Sequence, residues 1–175
     1  MTAAGERGAD PEASARELCL RELTLGPRSR RQLERVLARA DLPPDAASRV
    51  LGRLEEVGLV DDRVFAEDLI RTRHGGRGVG RRALSAELRS RGVDEETAAH
   101  ALATLGADEE RATALELARR KLARSRGVTR EVRVRRVASL LARKGYSADL
   151  VTDVVRQSLA EQAAEDGCGD DRKDG

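Results

Sequence analysis

Aromatic side chains are nearly missing from this 175-residue chain, which has one Phe, one Tyr and no Trp. Their absence excludes the stacking platforms on which RRM- and OB-type domains hold unpaired bases. Cysteine is scarce too. Cys19 lies on the apolar face of a predicted helix and Cys168 in a polar tail, so they form no disulfide framework and read as reduced thiols. His74 and His100 have no Cys or carboxylate at ligand spacing, so neither a metal site nor any cofactor is expected. No apolar run is long enough to span a bilayer, and no apolar signal segment opens the chain. The expected location is the cytoplasm. Alternating Val, Ile, Thr and Tyr stretches are also rare, which argues against a sheet.

What is present is Leu, Val, Ala, Arg and Glu, most of them strong helix formers, laid out with a long period. Leu33, Leu37, Leu42 and Leu51 are spaced four, five and nine residues apart. The same spacing recurs in Leu84, Leu88, Val93 and Leu102, and again in Val137, Leu141, Tyr146 and Val155. The second set lies 51 positions after the first and the third 53 after the second. A fixed period of this length marks stacked supersecondary units, each too small to bury much core alone. The fold class is therefore all-α: three tandem three-helix repeats forming an elongated, curved body. The repeats cover 13–60, 61–106 and 107–160. Polar, charged stretches at 1–12 and 161–175 are expected to be disordered tails.

The periodicity predicts helices at about 13–24, 29–39, 43–57, 62–74, 80–91, 94–105, 108–125, 129–144 and 147–160. Ser29 followed by Gln32 is a capping box. Pro43-Pro44 suits a first helical turn. Asp62, Asp94, Asp108, Thr129 and Ser147 stand where N-caps are needed. Gly58, Gly92 and Gly145 stand where helices end in positive φ.

The net charge of +2 hides an uneven distribution. Segments 1–12 and 161–175 carry −2 and −4, which leaves +8 on 13–160. Arg71, Arg73, Arg77, Arg81, Arg82, Arg89 and Arg91 face only Glu87 within 71–91. Arg119, Arg120, Lys121, Arg124, Arg126, Arg130, Arg133, Arg135 and Arg136 face only Glu131 within 119–136. Between these blocks, 92–118 has seven acids against Arg111. Blocks this uneven suit a polyanion or an acidic protein surface, with phosphate contacts that carry no sequence information. A generic Arg-rich helix would instead pair such residues with neighbouring Glu on a solvated face.

Three motifs narrow the function. His74-Gly75-Gly76-Arg77-Gly78-Val79-Gly80-Arg81-Arg82 has the Gly-to-Gly spacing of a phosphate-binding loop. It lacks the Lys-Ser/Thr that must follow, and a helix rather than a strand precedes it. It reads either as a flexible linker or as a polyanion contact in which exposed backbone N–H groups join the arginines. Each repeat outlines a helix-turn-helix, but the helix after Gly92 opens with Asp94, Glu95 and Glu96. Three acids at the end that should meet base edges and phosphates oppose major-groove reading. The acid pairs Glu55-Glu56, Asp61-Asp62 and Glu109-Glu110 are adjacent in sequence, so their side chains diverge. A nuclease would need clustered carboxylates around a metal, and no catalytic set is expected.

Leu59-Val60-Asp61-Asp62-Arg63-Val64-Phe65-Ala66-Glu67, then Gly78-Val79-Gly80-Arg81-Arg82-Ala83-Leu84-Ser85-Ala86-Glu87-Leu88, then Arg91-Gly92-Val93 resemble the RecX regulatory family. Ser29 to Glu34 resembles that family's first-repeat helix opening, and Ala142-Arg143-Lys144-Gly145-Tyr146-Ser147 its third-repeat turn. The likeness covers roughly 13–160. It departs at Ala40-Asp41, which replaces a basic–Gly pair, and at Leu69 and Ile70, where an aromatic is expected. The resemblance implies a modulator of the RecA recombinase that lies in the groove of the RecA–single-stranded DNA filament. It implies suppression of recombination, ATP hydrolysis and coprotease activity. The residues expected to meet the filament or, weakly and without sequence preference, single-stranded DNA are Arg71, Arg73, Arg77, Arg81, Arg82, Arg89, Arg91, Arg119, Arg120, Lys121, Arg124, Arg126, Arg133, Arg135, Arg136 and Lys144. A monomer with no membrane contact is expected. The alternative reading is a helical-repeat DNA-binding protein without a filament partner.

Overall fold

A computed structural model describes residues 10–125 and 127–168 of the chain. Among the described residues there are nine α-helices and no strand. They are α1 Pro11–Leu25, α2 Arg30–Arg39, α3 Pro44–Glu56, α4 Asp62–Arg77, α5 Arg81–Ser90, α6 Glu95–Ala103, α7 Ala107–Ala123, α8 Arg130–Lys144 and α9 Ala148–Cys168. The periodic anchors form the interior. Eleven of the twelve are buried, and Leu42 is half-buried. Leu33, Leu37, Leu51 and Leu54 pack with Ala15 and Cys19 of α1. Ala114, Ala118 and Leu122 of α7 pack with Val137 and Leu141 of α8 and Val151, Val154 and Val155 of α9. Leu69 and Ile70 are buried, doing the apolar work expected of an aromatic.

The helices at the two ends run further than composition suggests. Asp10 accepts a hydrogen bond from the Glu12 amide at 3.1 Å and starts α1. Glu12 is then held by Arg49 (2.6 Å) and Arg53 (2.9 Å) of α3. At the other end, α9 continues past 160 because Glu161 accepts two bonds from Arg119, both 2.9 Å, and Gln162 accepts one from Arg133 at 3.0 Å. Residues 1–9 and 169–175 of the expected tails lie outside the described residues, as does Arg126.

Most caps fall where expected. The capping box is complete: Ser29 Oγ accepts from the Gln32 amide and Gln32 Oε1 from the Ser29 amide. Asp94 accepts from Thr97 N (2.9 Å) and Ser147 from Leu150 N (3.3 Å). Asp62 is a correction, because its neighbour Asp61 caps α4 by accepting from Arg63 N and Val64 N. Asp62 instead accepts from the backbone of Arg30 at 2.7 Å. Asp108 is another correction: Gly106 holds the N-cap position of α7 without a side-chain bond, and Asp108 sits inside the first turn. Thr129 occupies the N-cap of α8, but its side chain makes no capping bond.

The helices divide into two compact units. One holds the chain up to Asp68 together with Leu88–Ala98. The other holds Leu69–Glu87 together with the chain from Ala99 onward. The middle triplet, α4 to α6, therefore contributes to both.

Each unit contains the same joint. The second helix of every triplet ends in a left-handed residue: Asp41, Gly92 or Gly145 (φ 53°, 83° and 86°). The amide of the following residue then bonds back five residues, from Leu42 to Leu37, Val93 to Leu88 and Tyr146 to Leu141. This is a Schellman ending. The start of the preceding triplet's second helix rests on that turn. In the first unit the buried Ser29 hydroxyl donates to Arg91 O at 2.6 Å, and a Cβ on Gly92 would fall 2.4 Å from Arg31 Cβ. In the second, the amides of Gly80 and Arg82 donate to Lys144 O (2.8 Å) and Gly145 O (3.1 Å). There a Cβ on Gly145 would fall 2.5 Å from the Ala83 amide nitrogen. An acid locks each joint through the amide that follows: Asp62 takes Arg30 N, and Glu110 takes Arg81 N at 2.8 Å.

The joint sets two expectations for stability. Gly58 also has positive φ (71°) but open space around its Cα. Gly58→Ala is expected to lose only the left-handed cost, about 1–2 kcal/mol. Gly145→Ala should lose that and roughly 1–3 kcal/mol more for displaced backbone. Urea midpoints of the two variants measure the difference, and equal losses would refute the close-approach requirement. Burial pushes the Asp62 carboxyl above its usual range despite the bond it accepts from Arg30. Asp62→Asn keeps the acceptor and removes the buried charge, so it should be neutral or stabilising at pH 7. Asp62→Ala leaves the Arg30 amide unpaired and should lose about 1–3 kcal/mol. Thermal midpoints that fall equally in both variants would contradict this.

Candidate functional site

The glycine-rich stretch does not form the flexible loop that its composition suggests. α4 runs through Gly75 and Gly76 to Arg77, leaving Gly78, Val79 and Gly80 as the connection. Buried His74 pins it, with Nδ1 2.9 Å from Val79 O and Nε2 3.1 Å from Thr113 Oγ1 of α7. Tyr146 donates its hydroxyl to Gly78 O at 3.0 Å. Gly78 (φ 59°) lies so close to α7 that a Cβ would stand 2.9 Å from Leu117 Cδ1. The amides of Gly78, Val79 and Gly80 bond to His74 O, Arg73 O and Lys144 O. None of the three is left to cradle a phosphate, which corrects the reading of exposed backbone N–H groups. Any anion here must be held by side chains.

Those side chains converge. A cleft of about 530 Å³ has Gly75, Gly76, Arg77 and Gly78 on one side. Thr113, Glu116, Leu117, Arg120, Lys121 and Arg124 along α7 form the other, with Leu140 of α8. The spacing 113, 117, 120/121, 124 places these residues on one helical face. Glycine at 75 and 76 keeps the facing wall free of side chains. Four cations face one carboxylate. Glu116 lies 3.5 Å from Arg120, while Arg77, Lys121 and Arg124 have no ion-pair partner among the described residues. The two sequence features that stood out, the glycine stretch and the basic block after 119, thus meet in one place.

The structure sorts the other candidate residues. Arg81 is occupied inside the fold, where its guanidinium donates to Leu102 O and Leu105 O and pairs with Glu110 at 3.3 Å. Arg73 pairs with Glu87 at 3.0 Å and Arg119 with Glu161 at 2.9 Å. Arg91 lies over the Phe65 ring, 5.9 Å from its centroid. Lys144 Nζ donates to Arg77 O and so holds the last carbonyls of α4. Arg133 donates to Gln162, away from this cleft. Arg71, Arg82, Arg89, Arg135 and Arg136 are exposed on α4, α5 and α8. Sequence reasoning missed Arg156, which lines a second cleft with Arg130 and Arg133. Arg156 is the sole base within 145–160, so no local charge pattern marks it.

The buried titratable groups are packed into the fold. Burial, with Glu22 nearby, pushes the Cys19 thiol up to about 11, which suits packing rather than nucleophilic attack. Burial, with Glu110 nearby, raises the Tyr146 phenol. Among the described residues no group of three His, Cys, Asp or Glu could hold a metal ion. No helix there is long and apolar enough to cross a membrane.

Comparison with known proteins agrees with this arrangement of helices. Residues 15–54 match the model of the first three-helix domain of RecX, 61–102 the second and 108–155 the third. The regulatory protein RecX of Thermobifida fusca is 51% identical over 156 residues, covering 89% of this chain and 84% of that protein. That of Streptomyces coelicolor is 48% identical over 158 residues (90% and 84%). That of Mycolicibacterium smegmatis is 45% identical over 165 residues (90% and 88%). The crystal structure of RecX from Lactobacillus salivarius superposes with a TM-score of 0.78 at 22% identity, covering 86% of this chain and 97% of that one. Three successive family domains, and identity near one half over nearly nine-tenths of the chain, mean that it belongs to the RecX family of regulatory proteins.

Proposed function

We propose that this chain is a negative regulator of the RecA recombinase. It binds in the groove of the RecA–single-stranded DNA filament and lowers ATP hydrolysis, strand exchange and coprotease activity. It acts by binding, as a cytoplasmic monomer, without a catalytic step of its own. The observation that carries the reading is the run of three RecX three-helix domains along one chain. The cleft between α4 and α7 supports it. Arg77, Arg120, Lys121 and Arg124 offer charge on long side chains, with no backbone cradle and no aromatic surface, which suits phosphates regardless of sequence. Exposed Arg82, Arg135 and Arg136, in the same unit as the cleft, add to its positive charge. A protein that contacts neighbouring filament subunits through successive repeats also gains from high effective concentration once one repeat has docked.

The basic cleft also favours the second reading, a DNA-binding protein that needs no filament partner. Two measurements separate them. Binding to oligothymidylate should be weak and salt-dependent, and Arg77→Ser/Arg124→Ser should flatten log affinity against log salt by about 0.7 for each phosphate no longer neutralised. An unchanged slope would show that these arginines form only a solvated face. RecA ATPase on single-stranded DNA should fall as the full-length chain is added up to one per RecA. The triple variant Arg77→Glu/Lys121→Glu/Arg124→Glu should inhibit several-fold less. An ATPase untouched at several-fold molar excess, with DNA binding intact, would defeat the recombinase reading in favour of the DNA-binding one.

A further inference from the structure

The second cleft lies between α8 and α9 and differs from the first in chemistry. It encloses about 390 Å³. Arg130, Arg133 and Arg156 supply its charge, and Leu159, Ala160 and Ala163 its apolar surface. Among the described residues no carboxylate lines it. Arg156 is paired with Asp153 (2.7 Å), but the side chains are 72% and 50% exposed, so the pair exchanges readily with another anion. Arg133 is the unusual member. One terminal nitrogen donates to the neutral amide of Gln162, while its Nε is covered and has no acceptor. A covered donor without a partner is rare in folded proteins. A planar carboxylate satisfies a guanidinium through two parallel N–H bonds, which a single amide oxygen cannot do.

We propose that this cleft docks a short acidic, aliphatic segment of a partner protein. One carboxylate of the segment pairs with the Arg130–Arg133–Arg156 cluster, and a neighbouring Leu, Ile or Val side chain covers Leu159, Ala160 and Ala163. The apolar surface decides between macromolecules. A nucleic-acid backbone would satisfy the arginines but leave the aliphatic wall wet, and the cleft has no aromatic ring for a base. An acidic peptide uses both halves. The proposal stands apart from the nucleic-acid reading of the α4–α7 cleft, because the two share no residue.

The test is fluorescence anisotropy of the full-length chain with a fluorescein-labelled Glu-Leu-Glu-Asp-Leu-Leu-Glu peptide. Matched probes are the same peptide with Ser for each Leu, and oligothymidylate. The Leu-containing peptide should bind, and the Ser version should bind several-fold more weakly. Arg130→Ser/Arg156→Ser, both at exposed positions, should weaken peptide binding at least tenfold. Arg21→Ser/Arg39→Ser, which removes the same charge from exposed positions elsewhere, should not. The Arg133 Nε–H resonance should shift on titration with the peptide, because a carboxylate on the terminal nitrogens perturbs the whole guanidinium, and this needs no variant at that position. Peptide affinity unaltered by the double variant overturns the proposal. So does an effect of that variant on oligothymidylate alone, or concentration-dependent self-association that the variant abolishes.

Discussion

Everything in this chain depends on how closely two pieces of backbone approach at the joint between triplets. The amides that open α5 donate to the carbonyls of a left-handed turn at 2.8 and 3.1 Å. The Cα atoms there have no room for a methyl group between them. Gly80 and Gly145 are needed on opposite sides of the same contact. Once that approach is fixed, much else follows. Gly80 sets the short connection from α4. Arg81, the next residue, is carried to the C-terminal end of α6 and to Glu110. Lys144, just before the turn, reaches the last carbonyl of α4. The wall of the basic cleft is a by-product of the joint. The first unit repeats the design with different side chains: Ser29 in place of Gly80, and Asp62 in place of Glu110.

The parts of this design that were legible in the sequence are the local ones. A capping box needs only residues 29 and 32, and it is complete. The buried anchors follow from apolar spacing, because a helix that buries one face must repeat at three and four. Gly92 and Gly145 were readable as turn residues because a Schellman ending demands positive φ. Even the exception made sense: Asp41 takes φ 53° without glycine, a conformation that Asp tolerates better than most residues. Their second duty, making room for Arg31 and Ala83, was not readable, since it depends on residues 61 and 62 positions away.

Apart from the local shift of the α7 cap from Asp108 to Gly106, what escaped sequence reasoning was long-range. Asp61 and Asp62 are chemically alike, and only the arrival of the Arg30 amide decides which one caps α4 and which one turns away. Gly75 and Gly76 look like helix breakers, yet His74 is anchored to Val79 and Thr113 and the helix continues over them. The ends of α1 and α9 carry charged residues that resemble tail. They are helical because Arg49, Arg53, Arg119 and Arg133 reach across to them. Composition counts charges but cannot tell which are already matched.

That sorting of charge also decides which cations remain on the surface. Of the basic residues that crowd 71–91 and 119–136, several are structural: Arg81 closes a joint, Arg73 and Arg119 pair across helices, and Arg91 covers Phe65. Of the remainder, Arg77, Arg120, Lys121 and Arg124 share one cleft. α7 shows why. Its Ala114 and Ala118 are small enough to let other helices pack tightly, and that packing fixes the helix whose other face holds Lys121 and Arg124 beside Arg77. A basic side chain rooted on a rigid helix loses less freedom on meeting an anion than one on a mobile loop, where the backbone must be ordered as well. The glycine connection adds no donors because its amides are satisfied internally. Recognition at this cleft therefore rests on charge and position alone. That chemistry suits a ligand whose charge is regular and whose sequence varies.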